Sequence, residues 1–160
     1  DALGYPYCRG RVMGTVEEDR GQYDEPAPLL WATGAALMVR SDAYWQAGGL
    51  DGRFFAHQEE IDLCWRMRNK GWKLACVTDS IVYHLGGGSL HYDNPRKTYL
   101  NFRNNLLMIY KNKSFPWFVL SIRFFLDYAA AIMFLLTGRA QSAKAVCEAR
   151  RDYKQMRKKY

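Results

Sequence analysis

The 22 residues at positions 115–136, FPWFVLSIRFFLDYAAAIMFLL, constrain this chain more than any other part of it. Their length suits a bilayer span. Arg123 and Asp127 nevertheless sit near the middle. They are four residues apart, share one face of a helix and can pair there. A charged pair at the centre of a true span is costly. The segment therefore reads as an interfacial helix or as one arm of an internal hairpin, with a helix buried beneath the rest of the protein as the alternative. Pro116 belongs in a first helical turn, and Gly138 interrupts the pattern after it. Residues 141–160 then read as a basic helix carrying Lys144, Arg150, Arg151, Lys154, Arg157, Lys158 and Lys159. Basic residues beside an apolar stretch favour the anionic inner leaflet, which predicts a cytoplasmic protein held peripherally at the membrane's inner face.

Charge is unevenly placed. The net charge is +7, yet residues 1–90 carry −3 and residues 91–160 carry +10. Such asymmetry points the second half toward a polyanion, either an anionic membrane surface or a nucleic acid, or else toward solvated helix faces. The basic residues lack aromatic interleaving on a sheet and match no recognition motif, so no nucleic acid is expected. Cys8, Cys64, Cys76 and Cys147 form no CxxC pair, which argues against a zinc site. Cys64 and Cys76 read as core thiols.

The chain divides into a mixed α/β part, residues 1–92, and a helical, basic, amphipathic part, residues 93–160. Residues 1–30 are rich in Gly, Pro, Tyr and charge and read as irregular loop. Residues 33–39 form a short apolar run that predicts a buried strand. Ser41 is a candidate N-cap for a short helix ending at Gly48 and Gly49. Phe54 and Phe55 are expected in the core, and Trp45 and Trp65 are expected to pack. Strands are predicted over 72–77 and 81–84, and a strong helix over 95–111.

Between these lies HQEEIDLCWR, residues 57–66. It places three carboxylates at the start of a helix predicted over 59–70. Glu59 and Asp62 share a face, and Glu60 points elsewhere. The helix dipole favours acidic residues in a first turn. A carboxylate aimed into a cleft can also take a proton from an attacking hydroxyl.

Four ordered blocks widen the pattern: WATGAALMVR (31–40), GGLDGRFF (48–55), EEIDL (59–63), and VYH (82–84) with GGGS (86–89). Together with KTYLNFRN (97–104) they resemble the C-terminal half of family 2 glycosyltransferases, most closely the bacterial rhamnosyltransferase-like members that build surface polysaccharides. The resemblance covers roughly residues 1–113. It implies an inverting enzyme with the GT-A fold, a short mixed sheet with helices followed by a helical C-terminal region. No Asp-x-Asp motif and no nucleotide-binding opening occur here. The chain is accordingly read as the acceptor-side half of such an enzyme, inactive without its donor-binding half, with a non-catalytic membrane-surface or assembly module of a polysaccharide-synthesis protein as the alternative.

The resemblance also implies roles. A nucleotide-sugar donor would pass its sugar to a glycan or lipid-linked acceptor. Glu60 stands where the family's base stands, as Glu instead of the usual Asp, which leaves Glu59 open as the base. Asp62 and Glu59 would position the acceptor or cap the helix. His84 would be one ligand of a Mg²⁺ or Mn²⁺ on the diphosphate. Trp31, Thr33 and Gly34 offer a platform for a sugar ring, though Trp31 serves equally as a core residue. The glycine triplet 86–88 can approach phosphate or act as a connector. Lys97 and Arg103 lie on the next helix, where Arg103 can neutralise the leaving diphosphate or pair with a carboxylate of the acidic helix. Without the absent half, a sheet edge and an apolar face would be bared, which predicts a homo-oligomer.

Overall fold

A computed structural model describes residues 1–12, 14–84 and 94–160. Three long helices form its C-terminal part: α3 (Pro95–Asn112), α4 (Pro116–Leu136) and α5 (Ala140–Met156). Asn94 caps α3 by accepting the Arg96 amide at 2.9 Å, and Pro95 fills the first helical position, where a missing N–H costs nothing. Connections of three residues join α3 to α4 and α4 to α5, so successive helices pack on one another. Leu106, Leu107 and Ile109 of α3, Val119 and Leu120 of α4 and Tyr153 of α5 close the core. Phe54 and Ile61 join the same cluster, which ties the two parts of the chain together.

The predicted Arg123–Asp127 pair forms and is buried. Asp127 accepts from Arg123 Nε at 3.2 Å and from its terminal nitrogen at 3.1 Å. Arg150 of α5 supplies a second cation to the other Asp127 oxygen and donates to the Arg123 carbonyl at 3.2 Å. Arg123 also donates to Asn105 of α3 and to the Leu3 carbonyl, and its guanidinium lies 3.9 Å from the Tyr5 ring centroid. Burial raises the Tyr5 hydroxyl pKa, against the Arg123 charge. One carboxylate thus serves two guanidinium groups where α3, α4 and α5 meet. Arg150, read from sequence as one cation of a basic helix, is buried and points inward.

The N-terminal part holds α1 (Ser41–Gln46), α2 (Glu59–Asn69) and two short antiparallel strand pairs. Strands β1 (Arg11–Val12) and β2 (Thr15–Val16) pair with each other. Strand β3 (Ala27–Leu29) pairs with β4 (Leu74–Cys76) in register Ala27 to Cys76 and Leu29 to Leu74. Ala43, Ala47, Leu63, Cys64 and Met67 make a second core, against which Trp72 and Leu74 pack. Gly71 ends α2 at φ +88°, as its position predicts. Gly4 also has positive φ, and any Cβ there would stand 2.6 Å from the Ile109 side chain. That close approach seats the N-terminal segment on α3.

Several local expectations are corrected. Residues 33–39 are not a buried strand: Gly34–Ala36 form one 3₁₀ turn and the rest runs extended without a ladder partner, leaving Met38 98% exposed. A strand needs a neighbour for its N–H and C=O groups; the segment that pairs with β4 is β3, which read as loop. Residues 81–84 likewise have no regular structure, and Tyr83 is 96% exposed. Phe54 is buried, but Phe55 turns outward at φ 65°. Trp45 is 71% exposed, Trp65 packs on the main core, and Cys76 is half-buried, while Cys64 is the core thiol expected. Ser41 begins α1 without capping it through its side chain.

Removing one partner of a buried ion cluster strands the others. Asp127→Ala should lower unfolding free energy by about 3–5 kcal/mol, since two guanidinium groups would remain buried without a carboxylate. Urea denaturation followed by circular dichroism measures this.

Candidate functional site

The acidic helix α2 starts from an unusual backbone. Phe55, His57 and Gln58 all have positive φ, at 65°, 69° and 69°. Non-glycine residues adopt this region at a cost, and only when the surroundings hold them there. Helix α3 does the holding. Asn104, fully buried, directs its amide nitrogen at the carbonyls of Phe54, Ala56 and His57, at 3.0, 2.8 and 2.7 Å. Arg103 donates to the carbonyls of Arg53 and Phe54 at 3.1 and 2.8 Å and to the Asn104 side-chain oxygen at 2.9 Å. Gln58 donates to the Asn101 carbonyl at 3.2 Å and accepts from Asn105 at 3.1 Å. The segment NFRNN thus fixes the direction in which α2 sets out.

Three polar atoms at this helix start are buried without a hydrogen-bond partner: His57 Nε2, Glu59 Oε2 and Glu60 Oε2. Buried polar atoms are normally satisfied, so three exceptions within residues 57–60 single out this helix start. Burial pushes the Glu60 carboxyl above its ordinary value of 4.5, and the Glu59 charge adds to this. The backbone N–H groups of Glu60, Gly34 and Ile61 pull the other way. His57 is moved downward by burial and by Lys97, against the opposing pull of Glu59.

The loop at residues 31–34 lies along the Glu60 face of α2. A Cβ placed on Gly34 would stand 3.8 Å from Glu60 Cβ and Cγ. The Ala32 amide lies against Cys64, one helical turn beyond Glu60. Thr33 opens the 3₁₀ turn, its hydroxyl accepting the Ala35 amide at 3.4 Å. Trp31 is half-buried and packs against both cores. Glu60, Gly34, Thr33 and Trp31 are therefore brought together, with Glu59, His57 and Lys97 beside them.

Three residues singled out from sequence lie elsewhere. Asp62 is fully buried in the seam between α2 and α3, with one oxygen on Arg66 at 2.8 Å and Lys111 at 2.9 Å and the other on Asn112 at 2.7 Å. Lys111 bridges onward to Asp51 at 2.8 Å, and Tyr160 donates to the same Asp51 oxygen at 2.9 Å. Burial pushes the Asp51 carboxyl up, but bonds from Arg53, Lys111 and Tyr160 outweigh it and hold it well below the usual carboxylate range. Arg103 spends its guanidinium on backbone carbonyls and Tyr99, so it neither pairs with an α2 carboxylate nor stands free for a diphosphate. His84 is exposed, and among the described residues no three His, Cys, Asp or Glu side chains converge as a metal site. The residues described do not by themselves fit a divalent cation. The Gly86–Ser89 loop lies outside the described residues.

His57 was missed by sequence reasoning. Its signal was present, a His directly before the acidic turn, but its burial depends on a left-handed backbone that no local pattern announces.

The chain is similar over part of its length to glycosyltransferases. It is 39% identical over 57 residues to the N-acetylglucosaminyl-diphospho-decaprenol L-rhamnosyltransferase of two strains of Mycobacterium tuberculosis, a match covering 36% of this chain and 19% of the relative. It is 26% identical over 98 residues to the low-salt glycan biosynthesis hexosyltransferase Agl10 of Haloferax volcanii, covering 61% of this chain and 32% of the relative. The matches thus span less than a third of the length of these relatives. No family model matches the chain, and no solved structure matches it.

The Asn104 clamp is testable. Asn104→Ala should destabilise the fold by about 1–3 kcal/mol, the cost of stranding buried carbonyls. Hydrogen exchange should quicken at residues 55–60 more than in α4, where Asn104 makes no bond.

Proposed function

We propose that this chain is the acceptor-side part of an inverting glycosyltransferase in which Glu60 is the general base. The observation that carries the reading is the Glu60 carboxyl. It is half-buried, has one unpartnered oxygen, titrates above its ordinary value and faces the Thr33–Gly34 loop at a constrained helix start. The partial similarity to sugar-transferring enzymes supports the choice of reaction.

The transfer is one displacement. The acceptor oxygen forms a bond to the anomeric carbon while the bond from that carbon to the diphosphate oxygen breaks and the leaving nucleoside diphosphate keeps the electron pair. The hydroxyl proton passes to Glu60 as the new bond forms. A raised carboxyl pKa makes Glu60 a stronger base than an exposed glutamate, and burial keeps water from competing for it. Glu59 contributes by adding negative charge beside Glu60. Trp31 presents an aromatic surface at the edge of this site. Asp62, wholly occupied by Arg66, Lys111 and Asn112, positions the helix and does not touch the acceptor.

The donor in this reading is a nucleotide sugar, bound by a region beyond the described site, and the acceptor is a glycan or a lipid-linked glycan. The lipid diphosphate in the name of the mycobacterial relatives favours the lipid-linked acceptor. No step is routed through a metal, because among the described residues no three His, Cys, Asp or Glu side chains converge.

The test is transfer by the polypeptide that joins this chain to a donor-binding region, assayed across nucleotide sugars. Glu60→Gln should lower kcat by at least a hundredfold, the lower end of what positioned bases contribute, while donor binding is kept. The base must be deprotonated, so kcat should fall as pH drops through an inflection above 4.5, the ordinary glutamate value. Wild-type turnover by Glu60→Gln would reject this residue and turn attention to Glu59.

A further inference from the structure

Helix α4 presents two opposed faces. Arg123 and Asp127 are its only charged residues, and both are buried against α3 and α5. The outward face carries Trp117, Phe118, Phe125, Ile132, Met133 and Leu136, all exposed. Water-facing helices normally carry charge on that side. We infer that this face is a docking surface for an anionic lipid bilayer, with α4 lying in the plane of the interface rather than crossing it.

Three observations select lipid as the occupant. First, the face offers almost no hydrogen bonds. The Ser121 hydroxyl donates back to the Trp117 carbonyl at 2.9 Å, and Thr137, just past the helix, donates to the Met133 carbonyl at 2.8 Å. Protein interfaces carry about one hydrogen bond per 100–200 Å², whereas acyl chains require none. Second, a cation flanks one end. The Arg157 guanidinium lies 5.7 Å from the ring centroid of Trp117, which is on the exposed face. Trp and Arg at the rim of an apolar face suit the headgroup level, where the indole N–H and the guanidinium stay hydrated. Third, residues 91–160 carry a net +10, which complements an anionic leaflet.

The packing also chooses the orientation. The inner face of α4 is covered by α3 and α5, whose outer sides carry Arg96, Lys144, Arg151 and Lys154 in solvent. Carrying α4 across a bilayer would take those helices and their charges with it, or would expose Arg123 and Asp127 to hydrocarbon. Lying flat, α4 buries its apolar side for about 32 Å, at 1.5 Å per residue, and breaks no ion pair.

The inference is independent of glycosyl transfer and is tested without it. The chain is mixed with vesicles of phosphatidylcholine alone, or of phosphatidylcholine with about one-quarter phosphatidylglycerol, and sedimented. The expected result is binding to the anionic vesicles that weakens with salt. The triple variant Phe118→Ser, Phe125→Ser, Ile132→Ser should bind at least tenfold more weakly with unchanged circular dichroism, because all three side chains lie outside the core. Phe125→Trp supplies a mid-helix reporter, which should be quenched most by lipids brominated near the headgroup. Equal binding by the triple variant, or no binding by the wild type, would overturn the proposal. An oligomer that the triple variant dissolves, with vesicles ignored by both, would assign the face to a second copy of the chain instead. Deepest quenching near the acyl chain ends would overturn the in-plane orientation.

Discussion

Two adjacent amides on α3, Asn104 and Asn105, hold the structure to a single arrangement. Asn104 fixes the left-handed segment before α2 through three carbonyls. Asn105 donates to the Gly4 carbonyl at 2.7 Å and to Gln58, and its oxygen accepts from Arg123. A continuous polar path therefore runs from Asp127 and Arg123 in the helical layer to the residue preceding Glu59. Buried polar networks specify geometry when every member is satisfied, because any alternative packing leaves a costly orphan. The core would tolerate exchange of one apolar residue for another of similar volume. It would not tolerate displacement of these two amides.

The same helix start separates two carboxylates by environment. Asp62 has two cations and an amide within hydrogen-bond reach, so its charge is neutralised in place. Glu60, two residues earlier, has burial, a neighbouring Glu59 and no counter-ion among its perturbing groups. The difference arises from geometry: Asp62 faces α3 and its Lys111 and Asn112, while Glu60 faces a loop of small residues. A carboxylate anchored by cations gives a rigid helix, and one left without them is available for proton transfer.

Much of this was legible in the sequence, for stated reasons. Helices α2 to α5 are long and periodic; α3 and α4 begin at proline and α2 at acidic residues, and α2 and α4 end near glycine, so local rules sufficed to place them. The Arg123–Asp127 pair followed from spacing alone. The strands were legible only in part: β4 (Leu74–Cys76) falls within the run expected over 72–77, and the others do not follow the local pattern. Residues 33–39 and 81–84 have strand composition but no ladder partner among the described residues, whereas Ala27–Leu29, with Pro28 at its centre, reads as loop and is paired. Strand formation depends on who is adjacent, which sequence spacing does not state. The site was less legible than the helices: that Glu60 faces Gly34 comes from the fold, and the surroundings of Asp62 and Arg103 depended on contacts between α3 and segments nearly fifty residues away in the chain.

Helix α4 shows how a long apolar segment with a central ion pair resolves its conflict. In water alone, its outward face would cost stability; in a bilayer span, its inner face would. Placing Arg123 and Asp127 against Arg150 and Asn105 removes the charges from either medium and leaves an opposite side without charge and mostly apolar. The inner face is then indifferent to the surroundings, and the outer face alone decides where the helix sits. The polar path through Asn105 joins that helix to the start of α2. A surface held at an apolar interface would thus fix the orientation of Glu60 relative to that interface. For an acceptor carried on a lipid, such a fixed orientation converts a search in three dimensions into one in a plane, which is where positional catalysis has most to gain.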